Sequence, residues 1–404
     1  MFSRRTNWPR TPNRFTTAVE KQCASGRGVL DLTASNPTTI GLQYSSEAIL
    51  SALTNAQSLK YTPDPKGLRV ARETVADYYR ERGTPVDPER IILTTSTSEA
   101  YTFVFRLLCE PGDETLVAAP SYPLFEILAD LQDVRLKSYP LFYDHGWHID
   151  LHALANAISE RTRAAMVVHP NNPTGSYVKP AEAEQLYALC SQKQMAIVAD
   201  EVFLDFAHRF DSQPTFASVW QGSSTRVHGS KTRATEALTF TLSGLSKIAG
   251  LPQMKFAWIV VSGPEDLVSD AVARLEIIAD TYLSMNAPIQ LAAAALFETR
   301  HDFQRQLMQR ISKNLAELDG QLSAQQVCTR LEIEGGWYAI LRVPVTRSDE
   351  DLAIELLEKH SVLVHPGHFY DFSSDGYLVL SLIAPEEEFR EGVRRLISFV
   401  IGDL

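Results

Sequence analysis

The chain has 404 residues, enough for one large domain of roughly 200–300 residues with a smaller companion. Hydrophobic residues make up 45% and charged residues 22%, the balance of a soluble globular protein. The formal charge of -11 argues against a nucleic-acid binder, which needs a basic face for phosphates, but leaves room for a small anionic ligand that feels only the local field.

The N-terminal stretch Met1 to Arg14 is basic and carries Ser3-Arg4-Arg5. No apolar stretch follows, as a twin-arginine export signal requires, and the segment is expected to be a flexible arm. No apolar run reaches the roughly eighteen residues of a membrane span. Cys23, Cys109, Cys190 and Cys328 lie far apart without a CxxC pair, and read as the reduced thiols of a cytoplasmic protein.

From Tyr61 onward, helical and strand-like patterns alternate. Gly67 to Arg82 reads as an amphipathic helix, Ile91 to Thr94 as a buried strand, and Ser98 to Cys109 as a helix stopped by Pro111-Gly112. Strands are expected at Thr115 to Ala119, Ala164 to His169, Met195 to Ala199, Leu238 to Leu242 and Phe256 to Val261, with a helix at Ala181 to Lys193. Gly222 to Glu236 reads as an exposed, mobile loop without chemistry, and Ile289 to Leu322 as one long amphipathic stretch. Beyond it, strands at Arg330 to Val343, Ser361 to Val364 and Tyr377 to Leu382, with helices at Asp349 to Lys359 and Pro385 to Val400, make an α+β unit. Short continuous apolar strands between helices imply an α/β fold, a mainly parallel sheet sandwiched by helices, with a smaller α+β domain. Ligands in such sheets sit beyond the C-terminal strand ends, where every motif below falls.

Lys247 closes the run Ser243-Gly244-Leu245-Ser246-Lys247 behind an apolar strand. An amine becomes a covalent nucleophile when burial or cationic neighbours depress its pKa; most lysines are instead solvated surface residues. Asn171-Asn172-Pro173-Thr174-Gly175 reads either as an ordinary Asx-Pro turn or as a turn that offers the Asn172 amide to a ligand. Asp200, opening Asp200-Glu201-Val202-Phe203, reads as a helix cap or as a buried carboxylate in need of a cationic partner such as a pyridinium. Ser96-Thr97-Ser98 reads as plain N-capping or as an anion site suited to phosphate, and Ser98 could serve both.

Taken together and in order, these runs, with Tyr61, Gly67 and Pro120-Ser121-Tyr122-Pro123, resemble the class I/II aminotransferases, pyridoxal-phosphate enzymes of fold type I. The likeness extends to Glu334-Gly335-Gly336-Trp337-Tyr338. It implies a Lys247 Schiff base with pyridoxal 5'-phosphate, and Asp200 as the partner of the ring nitrogen that makes the ring an electron sink. It implies Tyr122 stacked on the ring, Asn172 on the ring 3-oxygen, Ser96, Thr97, Ser98 and Ser246 near the phosphate, and Tyr61 reaching the phosphate of a neighbouring subunit in a homodimer. The implied division is an arm with part of the small domain (1–44), a large cofactor-binding domain (45–295) and a small C-terminal domain (296–404). The implied partners are a small-molecule amine or amino acid and an oxo acid, with no nucleic acid and no membrane.

Three positions depart from the family. Phe203 stands where a tyrosine usually donates to the 3-oxygen, a loss of order 0.5–1.5 kcal/mol that should raise the Schiff-base pKa. Lys255 stands for the phosphate-binding arginine, keeping the charge without the planar fork. Val379, in Gly376-Tyr377-Leu378-Val379-Leu380-Ser381, occupies the place of the arginine that holds the substrate carboxylate. A desolvated carboxylate without its partner costs about 2–5 kcal/mol. Either another cation, with Arg4, Arg5, Arg10 and Arg14 as candidates, holds it, or the substrate lacks it. This opens a lyase or decarboxylase as the alternative to amino transfer. His145, His148 and His152 carry metal-like spacing, but no cysteine or carboxylate completes a site and none is expected; Trp337 is expected to be packed.

Overall fold

The computed structural model describes residues 1–208, 214–218 and 237–402. The expected loop from Gly222 to Glu236 lies outside the described residues. Strands of the first half are β1 (Leu30–Asp31), β2 (Ile91–Thr94), β3 (Glu114–Ala119), β4 (Arg135–Tyr143), β5 (Trp147–Ile149), β6 (Thr162–Val168), β7 (Ala196–Asp200), β8 (Thr239–Gly244) and β9 (Ala257–Ser262). Those of the second half are β10 (Thr329–Arg330), β11 (Tyr338–Arg342), β12 (Val362–Leu363), β13 (His365–Pro366) and β14 (Tyr377–Ser381).

Eight strands form one sheet in the order β2-β9-β8-β7-β6-β3-β4-β5. The pairs β3–β4, β3–β6, β6–β7 and β7–β8 are parallel. Strand β9 runs against both β8 and β2, and β5 runs against β4. Hence β2, β3, β4, β6, β7 and β8 all end on one edge. Alternate residues feed two apolar layers. Val117, Met166, Val198 and Ile259 meet helices Thr97–Leu108 and Glu265–Tyr282. Leu116, Val167 and Ile197 meet helix Pro180–Lys193. With both faces covered, β7, β8 and β9 are buried along their whole length, which is why they read as unbroken apolar runs.

A second, antiparallel sheet has the order β10-β11-β14-β13. Helices Arg300–Ser323, Asp349–His360 and Glu386–Gly402 pack around it in a further apolar core. The N-terminal chain joins this unit, since β1 pairs parallel with β12.

The structure departs from the sequence reading in four places. The stretch Ile289 to Leu322 is three helices, Ala287–Leu291, Ala293–Glu298 and Arg300–Ser323. Their joints at Ala292 and Thr299 keep right-handed helical dihedrals, so the chain bends without leaving the helical path. Arg330 to Val343 is two strands, because the segment between them docks on the turn at 171–175. Strand β4 escaped notice because it is largely solvent-facing and carries Arg135, Lys137 and Pro140. The basic arm is pinned: Trp8 Nε1 donates to Asp130 Oδ2 at 2.9 Å, and Arg5 pairs with Asp133 at 3.1 Å. Among the described residues no helix is long and apolar enough to cross a membrane.

Candidate active site

The shared edge of the large sheet gathers the motifs. Thr97 and Ser98 follow β2, Tyr122 follows β3, Asn172 follows β6, Asp200 ends β7, and Ser246 and Lys247 follow β8. All seven line one cavity of about 410 Å³, together with Phe203, a volume within the usual range for a small-molecule site. Its far wall comes from the second sheet and the loop beside it: Tyr338, His365, Phe369 and Tyr370.

Each side chain is positioned by local chemistry. Ser96 caps helix Thr97–Leu108, its hydroxyl accepting from Glu99 N at 3.1 Å, while Glu99 reaches back to Thr95 N at 2.6 Å. The capping falls to Ser96 and not to Ser98, which leaves Thr97 and Ser98 at a helix N-terminus facing the cavity. In the turn after β6 the Asx role belongs to Asn171, whose Oδ1 accepts from Thr174 N and Oγ1 at 3.3 and 2.9 Å. Asn172 is buried, its Oδ1 has no partner, and it is thereby free for a ligand. Asp200 is 7% exposed; its Oδ2 accepts from Tyr101 OH at 3.0 Å and its Oδ1 from Val202 N at 3.1 Å. Burial outweighs these bonds and pushes its pKa up to about 6.

Lys247 sits on a single helical turn, Leu245–Ile248. Its ammonium lies 5.6 Å from the Phe203 ring centroid and 4.7 Å from that of Trp337. Burial pushes the amine down to about 8, against the opposing pull of Asp200. The site thus pairs an amine whose pKa is lowered by burial with a buried acid short of a cation, the combination expected of an activated nucleophile beside a charge-holding group.

The family model described as "Aminotransferase class I and II" matches residues 27–396. The chain belongs to the class I and II aminotransferases. It is 24% identical over 387 residues to the glutamate-pyruvate aminotransferase AlaA of Haemophilus influenzae, covering 93% of this chain and 91% of that one. It is 25% identical over 397 residues to an alanine aminotransferase of Mycobacterium bovis, covering 94% and 87%. Its fold matches that of an alanine aminotransferase from Pyrococcus furiosus with a TM-score of 0.87 at 21% identity, over 100% of both chains. The enzyme is a pyridoxal-phosphate-dependent transaminase of fold type I, and none of these relatives is a lyase or decarboxylase.

The aminotransferase cavity fits that cofactor. It offers a cavity-lining Asn172 amide whose Nδ2 is the group able to donate to a ring oxygen, a desolvated carboxylate at Asp200, a helix N-terminus at Thr97 and Ser98, and a lysine of lowered pKa. Tyr122 is 42% exposed, packs edge-on against Phe125 and lines the cavity with it.

Other expected residues stand elsewhere. Ser96 spends its hydroxyl on the cap and is not among the lining residues. Lys255, just before β9, is exposed and lies off this cavity, as does Tyr61, which is 79% exposed. Val379 is 1% exposed in the middle of β14. None of the arm arginines lines the cavity: Arg5 is on Asp133, and Arg14 is on Glu350 and Asp351 at 3.3 and 2.6 Å. His148 bonds Glu182 at 3.3 Å and His152 bonds Asn156 at 3.1 Å. Trp337 is fully buried and at the same time flanks Lys247. Sequence reasoning missed Tyr101, Ser35, Tyr338, His365, Phe369 and Tyr370. No local pattern in the sequence marks the last three, which reach the cavity because β13 lies beside β14.

Proposed function

We propose that this transaminase moves an amino group between an α-amino acid and a 2-oxo acid, with alanine and pyruvate as one pair. The relatives named for glutamate, pyruvate and alanine support that pair. The observation that carries the site assignment is the meeting of Lys247 and Asp200 in one cavity with the unpaired Asn172.

Lys247 is the residue proposed to link covalently to the cofactor aldehyde, Asp200 to face the ring nitrogen, Asn172 the ring 3-oxygen, and Tyr122 the ring face. Thr97, Ser98 and Ser246 would hold the phosphate, with the partner subunit's Tyr61 as a supporting contributor. Pyridoxal phosphate, when bound, supplies an electrophilic carbonyl and an electron sink. Lys247 Nζ, near neutral at about pH 8, takes and returns a proton at its own nitrogen. Phe203 and Trp337 stand over that nitrogen, and burial keeps its pKa low. Asp200 stays ionised against the ring, oriented by Tyr101 and Val202. Phe203 has no hydroxyl to give, so Asn172 bears the 3-oxygen contact alone.

The assembly we propose is a cytoplasmic homodimer, supported by the exposure of Tyr61 and by four cysteines free of disulfides. The division into 1–44, 45–295 and 296–404 is supported by the two separate sheets and by the β1–β12 pairing. The test is amino transfer from alanine to a panel of 2-oxo acids, read as pyruvate release. Transfer is expected in the wild type and loss beyond detection in Lys247→Ala; no transfer to any acceptor would overturn the substrate assignment.

A further inference from the structure

We propose that His365, backed by Tyr370, holds the substrate's α-carboxylate in place of the missing arginine. The inference rests on the reading of this cavity as the transaminase site. Strands β13 and β14 are antiparallel, and His365 stands directly opposite Val379. Residues opposed in an antiparallel pair project on the same side of the sheet. The imidazole therefore occupies the face from which a side chain at position 379 would reach the substrate. Val379 is sealed in the core, whereas His365 is partly accessible and lines the cavity with Lys247.

Among the described residues no arginine lines this cavity, and Lys247 is its sole lysine. With that lysine committed to the cofactor, an entering carboxylate has His365, the phenols of Tyr338 and Tyr370, and the hydroxyl of Ser35 to choose from. Tyr370 OH lies 3.0 Å from His365 Nδ1, which leaves Nε2 for a ligand. The charged and titratable groups around the ring are Tyr370 and Tyr338 on its own wall, Lys247, Asp200 and Tyr122 on the facing wall, and Asp31 of β1. Burial holds the imidazole below its ordinary pKa and Asp31 opposes that shift. A carboxylate placed against Nε2 adds a second opposing charge, so substrate binding draws a proton onto the ring and makes a charge-assisted hydrogen bond. The neighbouring rings of Phe369 and Tyr338 suit an apolar or aromatic group beside that carboxylate.

The test uses two unreactive probes on the holoenzyme, 3-phenylpropanoate and its uncharged amide, titrated by calorimetry at pH 7. Neither carries an amine, so neither can enter the reaction. The acid is expected to bind on the order of tenfold more tightly than the amide, and that preference is expected to vanish in His365→Phe. Where His365→Phe fails to fold, judged by melting temperature, His365→Gln replaces it, with the preference expected to fall at least threefold. Equal binding of acid and amide to the wild type, or a preference that survives the substitution, overturns the assignment. Visible absorbance of the bound cofactor and alanine-dependent transfer, measured on the same preparations, report on the transaminase site separately.

Discussion

Asp200 shows how the role proposed for it at the ring nitrogen and a stability cost meet in one residue. Its carboxyl is buried with two hydrogen bonds, and its pKa is raised to about 6. A carboxyl raised in the fold favours the folded state below its unfolded pKa, and that contribution is lost as pH rises through about 6. At pH 8 the cofactor-free protein therefore carries an ionised, poorly compensated carboxylate. Cofactor-free Asp200→Asn is expected to be more stable than the wild type at pH 8, by about 1–3 kcal/mol, with the gain gone by pH 4. Denaturant titration at the two pH values checks this, and a variant less stable at pH 8 contradicts it. The same substitution removes the charge that holds the Lys247 amine up, so its pKa is expected to drop below about 8. The rate at which an amine reagent labels Lys247, followed against pH, reads that shift.

Among the elements, the turn at 171–175 and the segment 334–337 act as one unit. Gly175 O accepts from Gly335 N at 2.9 Å and from Glu334 N at 3.2 Å, and Phe206 O accepts from Gly336 N at 2.8 Å. Gly175 has φ +68°, and a Cβ there would collide with the Gly335 carbonyl. Gly175→Ala is expected to cost more than about 1–3 kcal/mol, through both strain and displacement of that segment, and to loosen Asn172 with it. Thermal melts with and without cofactor separate the two effects; an unchanged melting temperature would refute the strain argument. This unit also marks how much the sequence disclosed. The buried strands were legible because two covered faces demand continuous apolar runs, and the residues after them because glycine, proline and short polar side chains cluster there. Strand β4 was illegible since its side chains are mostly wet. His365 and Tyr370 were illegible for another reason: their importance arises from β13 lying beside β14, a pairing between distant segments that no local pattern announces.

For the molecule as a whole, the two sheets supply opposite walls of one cavity, the large sheet the proposed cofactor side and the small sheet the proposed substrate side. Opposed groups in the large sheet contribute to how stability depends on pH. His169 is buried at the end of β6; its Nε2 donates to Pro214 O at 3.0 Å, its Nδ1 accepts from Val178 N at 3.1 Å, and its pKa is down to about 3. The unfolded chain binds that proton near pH 6.5 and the folded one near 3, so the stabilisation from neutral His169 is present above about 6.5 and lost as pH falls. Asp200 and Glu201, raised to about 6 and about 7, slope the other way. The cost of His169→Gln is accordingly expected to shrink between pH 7.5 and pH 4.5 in urea titrations, and a constant cost would contradict this assignment. The most direct measurement concerns the covalent link. Borohydride reduction of the holoenzyme followed by peptide mapping is predicted to fix the cofactor on Lys247 alone; a label on Lys255 or any other lysine, or no label, would contradict the account.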